Sequence, residues 1–219
     1  MRYEIKIPLI KSNLSIFENW LLKEKNINST YKERSVSSIY FDDINLNFAN
    51  DNLTGVSNRL KFRLRWYNNS QNFNYEIKIK KNKLGNKIII PSKKKFNQVD
   101  LKNLYTTMNK EFSDNNFMPE IKSILDKMKL LPIVKVSYKR KYYSYINSVR
   151  LTFDSPSTYT NFLDINKNIN KDYMHVLEIK FHPNDYMVAQ KLLHNSPFVP
   201  KRFSKYLRGL SFAGLAVYI

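Results

Sequence analysis

The 219-residue chain contains no cysteine. A disulfide scaffold, a thiolate zinc site and a cysteine nucleophile are therefore excluded, while the redox compartment stays open. Its three histidines, His175, His182 and His194, show no metal-ligand spacing. Only four glycines are present and no GxxxxGK string occurs. A phosphate site in this chain must then be built from side-chain cations rather than from a P-loop. No stretch approaches the roughly 18 to 20 uninterrupted apolar residues of a membrane span, and the N-terminal MRYEIKIPLIK carries charges where a signal peptide needs its apolar region. The sequence thus leads us to expect a soluble, cytoplasmic protein, with peripheral attachment to a membrane through basic surface left open. Negative charge is scarce: 18 Asp and Glu stand against 37 Lys and Arg, a net charge of +19. A polyanion is the natural partner, whether nucleic acid, anionic lipid or phosphate.

What is present is the composition of a globular chain, 42% hydrophobic and 14% aromatic, long enough for a real core. One domain over residues 1–219 is the simplest reading. Strict apolar and polar alternation marks half-buried strands at residues 2–7, 58–67, 74–80, 149–154 and 175–181, with less regular β-rich runs at 36–42, 87–90 and 133–146. Helical spacing appears at 12–25, where Leu14, Phe17 and Leu21 share a face, and near 99–112, 119–130 and 184–195. Asn-rich stretches at 68–74, 109–116 and 164–172 read as loops.

The run Arg59-Leu60-Lys61-Phe62-Arg63-Leu64-Arg65-Trp66 puts four cations on one strand face and four apolar side chains on the other. Same-face neighbours lie about 6.6 Å apart. Each adjacent pair repels by about 2 to 3 kcal/mol at an effective dielectric of ~20, and by well under ~1 kcal/mol in open water. The face is therefore either solvated or supplied with anions. A wet sheet face usually mixes signs and includes Ser, Thr and Gln, whereas this one does not. Arg2, Lys6, Lys78, Lys80, Lys139, Arg140, Arg150 and Lys180 repeat the bias on other strands. If those faces converge inside a barrel whose apolar faces are covered by helices, they line a positive tunnel.

Carboxylates recur among these cations. Tyr3-Glu4-Ile5-Lys6-Ile7 is repeated letter for letter at Tyr75-Glu76-Ile77-Lys78-Ile79, with a close variant at Leu177-Glu178-Ile179-Lys180-Phe181. Glu4, Glu76 and Glu178 suit either cross-strand ion pairs or the anchoring of Mg²⁺ or Mn²⁺, with metal favoured at Glu178. Tyr142, Tyr143 and Tyr145 beside Lys139, Arg140 and Lys141 could stack bases, but no RNP, KH, zinc-finger or helix-turn-helix pattern accompanies them, and packing explains them as well. Lys93-Lys94-Lys95 reads as a solvated turn.

Arg63-Leu64-Arg65-Trp66-Tyr67, preceded by Ser38-Ile39-Tyr40-Phe41-Asp42-Asp43, is followed in order by Tyr75 to Lys78, Ser137-Tyr138-Lys139-Arg140, Val149 to Asp154, Leu177 to Lys180, and Phe203-Ser204-Lys205-Tyr206. This series, spanning residues 2 to about 210, resembles the VTC (polyphosphate polymerase) domain, one of the triphosphate tunnel metalloenzymes related to CYTH domains. The resemblance implies an α+β fold, an antiparallel β-barrel with flanking helices that encloses a basic tunnel. It implies that Arg63, Arg65, Lys78, Tyr138, Arg140, Arg150, Ser204 and Lys205 contact phosphoryl oxygens, joined by Arg2, Lys6, Lys80, Lys87, Lys180 and Lys201. Glu178 matches the position that holds Mn²⁺ or Mg²⁺, and Glu4, from the strand-face reading above, is kept as a second candidate ligand.

The activity implied is ATP-dependent synthesis of inorganic polyphosphate, with Arg63, Arg65, Arg150 and Lys205 as the catalytic set. Hydrolysis of tripolyphosphate or nucleotides on the same fold, and non-catalytic polyphosphate binding, are the alternatives. ATP, polyphosphate, triphosphate and pyrophosphate are the expected ligands, and nucleic acid is not. Two departures from the family stand out. Lys87 is followed by Ile88-Ile89-Ile90-Pro91 where more basic residues are usual. Neither the SPX domain nor the membrane segments of eukaryotic members are visible, so membrane coupling would need membrane-associated partner proteins.

Overall fold

The computed structural model describes residues 2–99, 129–164 and 168–218. Ten strands are seen: β1 (Tyr3–Leu9), β2 (Ile27–Asp42), β3 (Asn58–Tyr67), β4 (Asn74–Lys81), β5 (Leu84–Pro91), β6 (Leu131–Tyr145), β7 (Val149–Asp154), β8 (Thr158–Asn161), β9 (Ile169–Lys171) and β10 (His175–Phe181). Among the described residues four α-helices accompany them: α1 (Leu14–Lys23), α2 (Asn47–Thr54), α3 (Tyr186–His194) and α4 (Lys205–Phe212). None of the described helices is long and apolar enough to cross a membrane.

The strands form one antiparallel sheet in the order β1-β10-β7-β6-β2-β3-β4-β5, with β8 added to β6 and β9 to β8. The sheet curls until its edges meet at a single bridge. There Gly85 N donates to Arg2 O at 3.0 Å and Arg2 N to Gly85 O at 3.2 Å. The ladder closes no further, so "barrel" is a loose description of a strongly curled sheet. Strand twist is the ordinary reason two edges meet at one point and diverge on either side of it.

Alternation sends apolar side chains to the convex face. Phe62 and Leu64 of β3 pack with Ile39, Phe41, Tyr75 and Ile77. Around β1, β7 and β10, Ile7, Leu151, Leu177 and Ile179 are covered by Phe17 and Trp20 of α1 and by Ala189 and Leu192 of α3. A third cluster lies on the concave face, where Tyr206, Leu207 and Leu210 of α4 pack on Val134, Val136 and Tyr138 of β6. The helix comes this close because residue 209 is glycine. A Cβ there would sit 2.9 Å from Val134 Cγ2 and 3.0 Å from Tyr159 Cδ1.

Asp42 ties this end together. Its carboxylate accepts Phe48 N and Ala49 N at the start of α2, both at 2.9 Å, and the Tyr206 hydroxyl of α4 at 2.7 Å.

The strand expected at 36–42 begins nine residues earlier, α2 and α4 are not among the expected helices although Tyr206, Leu207 and Leu210 of α4 share one face, and β9 falls within a stretch expected to be loop. The helices expected at 99–112 and 119–130 and the loop at 109–116 fall almost wholly on residues 100–128, outside the described part.

Candidate functional site

The concave face encloses a cavity of about 280 Å³. Among the described residues, fifteen Lys and Arg side chains line it against two carboxylates, Glu4 and Glu178. Glu76 and Asp154, set behind the lining, leave the positive excess large.

Of the residues singled out in the sequence, Arg2, Lys6, Arg63, Arg65, Lys78, Lys80, Lys87, Tyr138, Arg140, Lys180, Lys201, Ser204, Lys205, Glu4 and Glu178 all line this cavity. Arg150 does not. It is exposed and lines a second cavity, which shares Arg2, Gly85, Asn86, Lys87 and Lys180 with the first. The β7–β10 register explains this, because Arg150 lies opposite Lys180, beyond Glu178 and Thr152.

Glu76 organises one wall. It lies opposite Arg63 in the β3–β4 register. Its carboxylate accepts Arg63 Nε at 2.8 Å, contacts Arg65 Nη1 at 3.6 Å, and accepts Lys87 Nζ at 3.0 Å. Burial would raise this carboxyl, but Arg63, Arg65 and Lys87 outweigh it and hold the group well below the usual carboxylate range. Arg63 Nη1 reaches the Tyr40 hydroxyl at 2.8 Å, and Arg65 Nε donates to Ser38 Oγ at 3.0 Å. Both guanidinium groups are thus fixed before any ligand arrives, and their planar forks match phosphoryl oxygens. The wall left open by the isoleucines after Lys87 gains its charge from this one lysine.

Glu4 and Glu178 occupy the opposite wall on neighbouring strands, where Glu4 pairs with Lys180 and Lys6 with Glu178 in register. Lys78 Nζ donates to Glu4 at 2.6 Å, Lys6 lies 3.2 Å away, and Glu178 meets Lys180 at 3.0 Å and Arg140 at 3.5 Å. Burial and Glu178 push the Glu4 carboxyl up, yet Lys6, Lys78 and Lys180 bring it down to about 2. Glu178 is likewise held well below its ordinary value, with Lys180 and Lys6 overcoming burial. Neighbouring cations thus favour the ionised form of both carboxylates.

Their chemistry fits a hydrated divalent cation. Among the described residues no three carboxylate or imidazole groups converge, which disfavours a fully protein-ligated ion. Mg²⁺ and Mn²⁺ are instead held by one or two carboxylates with waters and substrate oxygens completing the shell. Thr152, opposite Glu178, carries a buried hydroxyl without a hydrogen-bond partner among the described residues, polar capacity that a hydrated ion would use. Glu76 is held by Arg63, Arg65 and Lys87 in a different wall from Glu4 and Glu178.

The third wall is the start of α4. Asp154 is fully buried, takes Arg140 through two bonds of 2.6 and 2.7 Å, and takes Lys205 Nζ at 2.7 Å. Ser204 caps α4 by accepting Leu207 N at 3.4 Å, and its hydroxyl also accepts Lys61 Nζ at 2.9 Å. Lys6 Nζ donates to Phe203 O at 3.1 Å, clasping this segment to β1. The positive end of a helix therefore faces a cation-lined cavity, an arrangement suited to anions.

Lys61 also lines the cavity, although its sequence position marks it only as one of four same-face cations. Burial, then Lys6, Lys78 and Arg59, push its ammonium well below the ordinary lysine value. Tyr40, Asn52 and Asp154 are given no site role by the sequence, although Tyr40 and Asp154 stand within its motif series. They reach it only because strand register and α2 bring them there.

A curled antiparallel sheet around a cation-lined cavity defines a protein of the triphosphate tunnel fold. The same fold is found in an adenylyl cyclase candidate from Hippeastrum with a dominant triphosphatase activity, at 12% identity and a TM-score of 0.59, over 99% of this chain and 98% of that one. It is also found in a protein assigned as an adenylate cyclase from Bacillus halodurans, at 14% identity and a TM-score of 0.58, over 95% and 96%. At such identities the likeness is one of fold. The sequence itself matches the VTC domain over residues 1–213, and the chain belongs to that family. No curated protein matches it.

Proposed function

We propose that the cavity holds a chain of phosphates and that the protein transfers the γ-phosphate of ATP to a growing polyphosphate chain. The observation that carries this reading is the lining of fifteen cations with two carboxylates, continued into a second cavity through Arg2, Lys87 and Lys180. Two adjoining cavities that share cations suit a polymer better than a substrate that is only hydrolysed.

A terminal phosphate oxygen of the polymer attacks the γ-phosphorus in line. The bond from that phosphorus to the β,γ-bridging oxygen breaks, and ADP leaves. Such catalysis rests on positioning and charge stabilisation. Arg63, Arg65 and Arg140, each fixed by a carboxylate or hydroxyl, would grip equatorial oxygens. Lys205 and Lys61 at the α4 end, with Lys78 and Lys180, would act as point charges. A divalent cation on Glu178 and Glu4 would neutralise charge on the nucleotide phosphates.

The test is incubation of the purified protein with ATP and Mn²⁺, with products resolved on a polyacrylamide gel. Long phosphate polymer formed in step with ADP is the expected result. Orthophosphate released with ADP, and no polymer, would instead make the protein a hydrolase, and no product at all would leave a binder.

A further inference from the structure

The tunnel face does not stop at Arg140. Residues two apart on a strand share a face, so Tyr142 follows Tyr138 and Arg140, both part of the cavity lining. Opposite it the register of β2 slips: Tyr31 pairs with Tyr142 and Arg34 with Arg140. Three steps along β2 thus match two along β6. The extra residue is a β-bulge, and it turns two side chains that would otherwise point apart onto the same face.

The result is a compact group. The Tyr31 and Tyr142 rings meet edge-on with centroids 5.8 Å apart, and the Arg34 guanidinium lies 5.8 Å and 5.9 Å from their centres. Tyr31 is 64% exposed and Arg34 is exposed. Among the described residues no carboxylate lies within ion-pair reach of Arg34. The Tyr142 hydroxyl is raised by burial against the pull of Arg140, and Tyr67, itself in the cavity lining, acts on it too. Tyr143 and Tyr145, on the other face, pack into the core beneath α1. The part of β2 that bears this cluster buries little, so core packing does not account for it.

Aromatic faces carry negative charge density and have nothing to offer a phosphate chain. Rings joined to an unpaired guanidinium at the end of a cationic groove are what stacks a planar base. Building on the phosphate-tunnel reading above, we propose that Tyr31, Arg34 and Tyr142 form a stacking platform for the purine base of the nucleotide. The triphosphate then enters from this end with its γ-phosphate innermost.

The test compares equilibrium binding of ATP and of tripolyphosphate, with Mn²⁺, to the wild type and to Tyr31→Ala, Tyr142→Ala and Tyr142→Phe, with circular dichroism as the check on folding. Each alanine variant should weaken ATP about tenfold and leave tripolyphosphate within about twofold, while Tyr142→Phe keeps wild-type ATP affinity. Because Tyr31 is exposed, its variant stays informative even where Tyr142→Ala fails to fold. Equal losses for both ligands, or no loss for ATP, would overturn the platform alone. A wild type that binds tripolyphosphate but no ATP does the same, whereas one that binds neither overturns the tunnel reading beneath it.

Discussion

Glu76 and Arg63 face each other across β3 and β4, with the carboxylate oxygen 2.8 Å from Arg63 Nε and 2.6 Å from Nη2. The pair orients one phosphate-facing guanidinium and, through Arg65 and Lys87, steadies a whole wall. Replacing Glu76 by Gln leaves three crowded cations without their counter-ion. Breaking a buried pair costs about 3 to 5 kcal/mol, a fall of roughly 10 °C in Tm for a chain this size. Calorimetry should show that fall, and tripolyphosphate should raise Tm more in the variant than in the wild type. An unchanged Tm would contradict the role given to Glu76.

Glu178→Gln should separate metal chemistry from anion binding. Turnover of ATP at saturating Mn²⁺ is expected to fall about a hundredfold or more, while tripolyphosphate binding, measured by titration calorimetry, stays within about threefold. Near-normal turnover would remove Glu178 from the metal site.

Lys180 gives the site a pH signature. Burial, only partly offset by Glu178, lowers its ammonium from 10.5 to about 8. Between pH 8 and 10.5 the unfolded chain holds this proton and the folded chain does not, so the group's contribution to stability rises with pH across that window. Bound phosphate restores the charge, and above pH 8 binding therefore takes up a proton. Tripolyphosphate affinity should decline above pH 8, by at most about tenfold per unit for one proton. In Lys180→Arg this inflection should weaken, leaving what other lowered ammonium groups such as that of Lys61 contribute. A flat wild-type profile from pH 7 to 10 would refute the assignment.

Gly209→Ala probes the seating of α4. The added methyl meets Val134 and Tyr159 at about 3 Å, and such overpacking costs about 1 to 3 kcal/mol. Denaturant titration should show that loss together with weaker tripolyphosphate binding, since Ser204 and Lys205 ride on the same helix. Unaltered stability would mean the helix is seated less tightly than described.

The sequence was most legible where alternation was strict. In β3 the odd residues read as a cationic face and the even ones as core, and the structure places them so. The first half of β2, Asn28 to Ser35, has no apolar alternation. It becomes a strand because β6 offers it a ladder, a tertiary decision that local pattern cannot carry. In α2 only Phe48, Ala49 and Asn52 are buried, and its first turn is capped by Asp42, from outside the helix. The two copies of Tyr-Glu-Ile-Lys-Ile show the same limit. Glu76 meets two arginines and a lysine, Glu4 meets lysines beside Glu178, and only cross-strand register makes one a fixed counter-ion and the other a candidate metal ligand. Arg150 looked equivalent to Arg63 in the sequence, but register carries it to the second cavity.

A crystal structure with tripolyphosphate and Mn²⁺ bound tests the account most directly. It should show phosphates in the central cavity, bridging Arg63, Arg65 and Arg140 to Lys205 at the start of α4, with the metal on Glu178. Phosphate bound away from these residues, or a metal on Glu76, would contradict it.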